Sequence, residues 1–299
     1  MISKNKNIED LYPESLAVYV GKYLKTYLND YNHIPGRLRE AIEYTILNGG
    51  KRLRPVLCLA TAKSIGCIIE KVIPTACAIE FIHTYSLIHD DLPAIDNDDL
   101  RRGKPSCHKK FGEDIAILTG DALFAESFNI ILKYQNSSPD IKLEVLAEIV
   151  SAVGASGMVA GQVVDVSSTG KKITKNDQEY MHLNKTSKLI VAAIRTSAII
   201  CNANSDILNS LSIYGNNIGL VFQIVDDILD ITSSSGITGK TQGKDIDHSK
   251  NTYPSLWGVD KSRKIAKEKT EKAIDSIKGL DINTDILIDI AQFILFRKA

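Results

Sequence analysis

The chain has 299 residues, enough for one large domain or two ordinary ones and well above the size at which a core becomes hard to bury. Its 36 basic and 36 acidic side chains cancel, which excludes a global field that would draw the protein onto nucleic acid or an anionic membrane. Any anion site must be local.

Residues 1–10 are polar and mixed in charge and lack the apolar stretch of a secretory signal, so a cytoplasmic location is expected. Apolar residues then recur at helical spacing, and most of the eight prolines fall between periodic segments. The pattern predicts helices over 14–30, 37–47, 54–65, 70–91, 114–134, 141–166, 175–202, 206–232, 253–278 and 284–297. Several, notably 192–200 and 220–231, are apolar around much of their circumference and belong inside a bundle. Charged or amide side chains interrupt every apolar run before the roughly twenty residues that a membrane span needs, so none is expected. With no linker and no repeat, residues 1–299 read as one all-α domain. The polar stretch 233–251 is long enough to serve as a flap.

The five cysteines are odd in number, form no Cys-x-x-Cys pair, and read as small core hydrophobes in a reducing compartment. A thiolate metal site at Cys107 and His108 is disfavoured because adjacent residues rarely ligate one ion.

Two aspartate clusters carry the strongest chemical signal: Asp90-Asp91-Leu-Pro-Ala-Ile-Asp96 and Asp226-Asp227-Ile-Leu-Asp230. In the second, spacings of three and four place all three carboxylates on one helical face, where they would repel one another. They lie among the most apolar segments of the chain, where bare carboxylates are costly without a cation, and hard, oxygen-seeking magnesium fits best. In the first, an unbroken helix would set Asp90 and Asp96 roughly 240° apart. Pro93 ends or kinks that helix and lets the loop bring Asp96 back.

Basic residues surround these clusters: Gly49-Gly50-Lys51-Arg52-Leu53-Arg54-Pro55, Arg101-Arg102-Gly103, Lys185-Thr186, Lys240 and Lys250. Lys51 offers a point charge and Arg54 a forked donor to phosphate oxygens. His83 lies seven residues before Asp90, about 10 Å along one helical face, which separates an anion site from the metal site.

On these motifs, with Gly161-Gln162-x-x-Asp165 and Phe222-Gln223 added, the sequence resembles the trans-prenyl diphosphate synthase family, bacterial farnesyl type, over nearly its whole length. The resemblance implies an antiparallel helical bundle of the isoprenoid synthase type around a deep cavity, usually a homodimer, with three magnesium ions between the clusters and an allylic diphosphate. It assigns Asp90, Asp91, Asp96 and Asp226, with Asp227 and Asp230 nearby, to metal. Arg101, Lys185, Thr186, Gln223, Lys240 and Lys250 go to the allylic diphosphate, and Lys51, Arg54, His83 and Arg102 to isopentenyl diphosphate. It also makes Tyr85 and Ser86 the floor of the hydrocarbon pocket, with tyrosine resembling enzymes that stop at farnesyl diphosphate rather than geranylgeranyl diphosphate. The implied chemistry is ionisation of the allylic diphosphate followed by attack of the isopentenyl double bond, and no covalent enzyme intermediate is needed. Asp90, Asp96, Asp226, Lys185 and Arg101 would carry it. Two departures stand out: Ala160 precedes Gly161 where two glycines are common, and Ser187 follows Lys185-Thr186 in place of a glycine.

Other readings fit less well. A terpene cyclase needs one diphosphate site and leaves Lys51, Arg54, His83 and Arg102 without a purpose. A metal phosphohydrolase would need further histidines beside His89-Asp90. Gly236 to Thr241 imitates a phosphate loop, but Ser234 stands where the leading glycine belongs and a helix precedes it. A non-catalytic subunit would be expected to have lost an aspartate cluster or its basic partners, and both are present.

Overall fold

The structure, a computed structural model, describes residues 8–232 and 251–297. Fourteen α-helices are present among them: α1 (Glu14–Leu28), α2 (Gly36–Ile46), α3 (Leu53–Ile65), α4 (Ile73–Asp90), α5 (Cys107–Phe111), α6 (Glu113–Tyr134), α7 (Pro139–Val153), α8 (Met158–Ser168), α9 (Lys175–His182), α10 (Lys188–Ile200), α11 (Ser205–Thr232), α12 (Tyr253–Trp257), α13 (Val259–Ile277) and α14 (Asp285–Phe296). The only strands among the described residues form a two-residue hairpin, Leu100–Arg101 against Lys104–Pro105. The fold is all-α, as the sequence implies.

Helices α3, α4, α10 and α11 supply most of the interior. Val56, Leu57, Leu59, Ile79, Phe81, Ile82, Ile190, Ile194, Ile218 and Ile224 are fully or almost fully buried, each stabilising the fold by roughly 1.5–3 kcal/mol. Around this centre α4 packs on α6, α10 on α3, α7 and α11, and α11 on α13. The Tyr214 hydroxyl, deep in the core, donates to the Leu287 carbonyl at 2.6 Å and ties α11 to α14.

Three long sequence helices are interrupted. The stretch over 141–166 breaks between α7 and α8, where a Cβ on Gly157 would stand 2.1 Å from the Ala152 carbonyl oxygen. The stretch over 253–278 breaks at Gly258, whose φ of +76° disfavours any side chain. The stretch over 175–202 contains a π-helical turn, Leu183–Ser187, between α9 and α10. Such turns occur often at functional sites.

One sequence expectation needs correction. The stretches Glu113–Tyr134 and Pro139–Ser168 are each long and apolar enough to cross a membrane by length and composition, with a mean hydropathy of 1.6. Residues 115–132 contain only Asp121 and Glu126 as charges, too few to interrupt the run. In the fold α6 presses one side against α4 and α7 presses one side against α10. The outer sides of α6, α7 and α8 expose Leu118, Leu132, Leu143, Val150 and Val163.

The segment 233–250, with Lys240 and Lys250, lies outside the described residues. Asn251, which follows it, is held at both ends: its side chain donates to the carbonyls of Ser168 and Lys171 at 3.1 and 3.0 Å, and its carbonyl accepts from Gln178 at 3.0 Å.

Candidate active site

Helix α4 stops at Asp90, and the chain then curls as Pro93 requires. The backbone N–H of Asp96 donates to the Asp90 carbonyl at 2.9 Å, that of Asp98 to Asp91 at 3.2 Å, and that of Asn97 to Leu92 at 3.1 Å. These bonds fold the loop back over the helix end and bring Asp96 beside Asp90. Burial pushes the Asp90 carboxyl pKa up, and Asp96 and Asp165 add to the effect while Lys185 and Arg101 oppose it. This carboxylate needs a cation.

The two aspartates of the first pair face different ways. Asp91 is buried and receives the Arg101 guanidinium, whose Nε lies 3.1 Å from both carboxylate oxygens and whose Nη2 closes on Oδ1. Asp98 lies 3.4 Å from the same Nη2. Burial works against the Arg101 charge, but Asp91 and Asp98 outweigh it and raise its pKa. Asp91 thus positions Arg101 beneath the loop.

The second cluster repeats this division. Asp227 is buried and accepts from the Gln223 amide at 2.8 Å and from the Tyr253 backbone N–H at 2.9 Å. Gln223 in turn accepts from the Thr186 hydroxyl at 2.9 Å. The chain Thr186, Gln223, Asp227, Tyr253 fastens the π-helical turn to α11 and α11 to α12. Asp226 is more open, with 44% of its side chain accessible, and meets Arg297 Nη2 at 2.5 Å. Asp230 lies one turn further along α11.

Lys185 projects from the π-helical turn and joins the two ends of the site. Its Nζ is 2.5 Å from Asp165 Oδ2 and 3.9 Å from Asp90 Oδ2. Burial opposes its charge, but Asp90 and Asp165 together raise its pKa, so it stays an ammonium. The approach that permits this depends on Gly161, where a Cβ would stand 2.2 Å from the Lys185 backbone nitrogen. Ser187 packs against Gly219, whose added Cβ would meet Ser187 Oγ at 2.3 Å. A glycine opposite thus makes room for the unusual serine.

The remaining basic residues gather at the other end. Arg54, buried on α3, lies with Nη1 3.2 Å from His83 Nε2. Burial, then the charges of Arg54, Arg102 and Arg101, push the His83 pKa well down and keep its ring neutral. Arg102 bonds the Gly49 carbonyl and stacks on Gly50, where a Cβ would fall 2.4 Å from its guanidinium carbon. The ammonium of Lys51 lies 5.7 Å from the centre of the Phe293 ring, and partial burial together with Arg297 lowers its pKa. Arg52 turns inward to Glu80 at 2.5 Å and serves the core.

Tyr85 half-buries its ring against α6, edge-on to Phe124 at 4.9 Å and to His89 at 5.8 Å, and Phe124 meets Phe128 at 5.1 Å. Ser86 donates to the His83 carbonyl at 2.9 Å. Sequence reasoning missed Arg297, a lone arginine with no informative spacing, and gave no role to Asp165 beyond its place in a motif.

The oxygen donors suit magnesium. Among the described residues no three His, Cys, Asp or Glu side chains are assembled around one point, so neither aspartate cluster forms a closed all-protein cage.

A family model described as polyprenyl synthetase matches residues 35–283. The chain is 46% identical to a geranylgeranyl diphosphate synthase of Cyanophora paradoxa, covering 88% of each chain, and 45% identical to a farnesyl diphosphate synthase of Micrococcus luteus, covering 90% and 92%. A solved FPP/GFPP synthase from Zymomonas mobilis superposes with a TM-score of 0.84 at 34% identity, covering 97% of this chain and all of that one. A geranyltransferase from Legionella pneumophila gives 0.85 at 33%, covering 94% of each. The protein belongs to the polyprenyl synthetase family and is a prenyltransferase of isoprenoid biosynthesis.

Proposed function

We propose that this enzyme condenses isopentenyl diphosphate with dimethylallyl and geranyl diphosphates and stops at farnesyl diphosphate. The observation that carries the stopping point is the aromatic wall formed by Tyr85, five residues before Asp90 on α4, with Phe124 and Phe128 of α6. A chain growing from the aspartates toward Tyr85 would meet a ring braced from behind.

Magnesium, three ions in this reading, would be held by Asp90 and Asp96 on one side and Asp226 and Asp230 on the other, and would supply Lewis-acid stabilisation of the departing diphosphate. Asp91 and Asp227 hold Arg101 and Gln223 in place. Lys185, kept charged by Asp165 and Asp90, neutralises charge that develops on the leaving group. Thr186 and Gln223 lie at the same end, and the family resemblance assigns Lys240 and Lys250 to the allylic diphosphate as well. Lys51, Arg54 and Arg102 grip isopentenyl diphosphate, and neutral His83 donates or accepts a hydrogen bond there without adding charge.

A cytoplasmic homodimer is part of the same proposal. The outer faces of α6, α7 and α8 support the dimer, because they leave large aliphatic side chains unpacked in the isolated chain.

The experiment is product analysis by mass spectrometry after incubation with isopentenyl diphosphate, magnesium, and dimethylallyl or geranyl diphosphate. Farnesyl diphosphate from both primers is the expected result. Geranylgeranyl diphosphate as the main product would overturn the stopping point and keep the prenyl transfer.

A further inference from the structure

The last turn of α14 delivers Arg297 onto the second aspartate cluster. Its guanidinium is buried, with Nη2 2.5 Å from Asp226 Oδ1 and 3.0 Å from the Phe222 carbonyl oxygen. Its central carbon lies 4.2 Å above the Phe222 ring. Its own backbone N–H continues the helix by donating to Phe293 at 2.8 Å. The arginine is therefore anchored by a ring, a carbonyl and a helix end, whereas its partner is the open member of the cluster. Such a pair is asymmetric. The cation has a place of its own, and the anion can be taken from it.

Asp226 is also a carboxylate proposed for magnesium, and an oxygen shared with a guanidinium is a weaker ligand. We propose that Arg297 is a positioning residue that acts as the internal counterion of Asp226 in the empty enzyme, competing with the divalent cation for that carboxylate and yielding it when the cation arrives. This inference rests on the reading of Asp226 as a metal ligand. The arrangement removes the cost of a bare carboxylate between catalytic turnovers.

The test is a Mn2+ titration of the purified full-length protein, with free Mn2+ followed by electron paramagnetic resonance, in wild type, Arg297→Gln, Arg297→Lys, Asp226→Asn and the double variant Arg297→Gln/Asp226→Asn. Arg297→Gln is expected to tighten the Asp226-dependent Mn2+ site by about tenfold, the scale of a charge-assisted pair partly shielded from water. Arg297→Lys should fall between it and wild type, and the double variant should bind like Asp226→Asn. Equal or weaker Mn2+ binding by Arg297→Gln would overturn the competition. Loss of no Mn2+ site in Asp226→Asn would instead overturn the ligand reading on which it stands. If Arg297→Gln fails to fold, hydrogen exchange in the wild type decides. Amides of residues 293–297 should exchange several-fold faster with Mn2+ and inorganic diphosphate present, and unchanged exchange would refute the release.

Discussion

Lys185 projects from a π-helical turn and sets its ammonium 2.5 Å from the Asp165 carboxylate, nearer than to Asp90 at 3.9 Å. Asp165 thus decides where the charge of Lys185 sits. Asp165→Asn keeps the size of the side chain and removes its charge, so Lys185 would lose its nearer anchor and its ammonium would no longer be held where Asp165 places it. We expect kcat/KM to fall by roughly 10- to 100-fold, about 1.4–2.8 kcal/mol of transition-state stabilisation, with the fold retained by circular dichroism. Wild-type kcat/KM in the variant would show that Asp165 is only a structural neighbour.

This relationship shows where sequence reasoning reaches and where it ends. The helices were legible because their apolar periodicity is strong, and the return of Asp96 to Asp90 followed from Pro93. The inward turn of Asp91 and Asp227 was not legible, because adjacent aspartates look alike in a sequence and only tertiary packing gives one of them Arg101 or the Tyr253 N–H. The π-helical turn was hidden for the same reason: it follows from how closely Gly161 and Gly219 let neighbouring helices approach. Arg297 offered no spacing to read, since its partner lies 71 residues away.

Tyr85→Ala would remove the ring that meets Phe124 edge-on and open the pocket below Asp90. The main product should lengthen by at least one isoprene unit, with the rate of the first condensation nearly unchanged. Phe124→Ala should shift the product in the same direction and by less, since Tyr85 would keep its place and lose only its support. Unchanged product length in both variants would remove the wall from the argument.

Stability should fall on mild acidification. Burial depresses the His182 pKa to about 4, and in the unfolded chain the group titrates near about 6.5. Between those values the unfolded state binds more protons, so stability is present above about pH 6.5 and is lost as pH falls toward 4. His83 acts in the same sense, while Asp90, whose pKa is raised, acts in the opposite one. His182→Phe preserves the stack on Tyr253, now at 5.3 Å, and removes one titrating group. Thermal melting from pH 7.5 to 5.0 should therefore show a shallower loss in the variant than in wild type. Parallel slopes would assign the acid sensitivity elsewhere.

The exposed aliphatic residues of α6 and α8 fall at helical repeats. Leu118 and Leu132 are fourteen apart, and Val159, Val163 and Val166 follow spacings of four and three, so each set lies on one face. Phe124, on α6 as well, is partly accessible while it braces Tyr85. A second copy seated on these faces would bury them and close the wall from outside, which joins assembly to product length. Leu118→Glu combined with Val163→Glu should halve the mass measured by analytical ultracentrifugation, because charges placed in an apolar contact are costly without partners. Products of that variant should also be longer, since Phe124 would lose its cover. A mass that is unchanged, or a wild-type protein that is already monomeric, would mean that these faces serve another purpose.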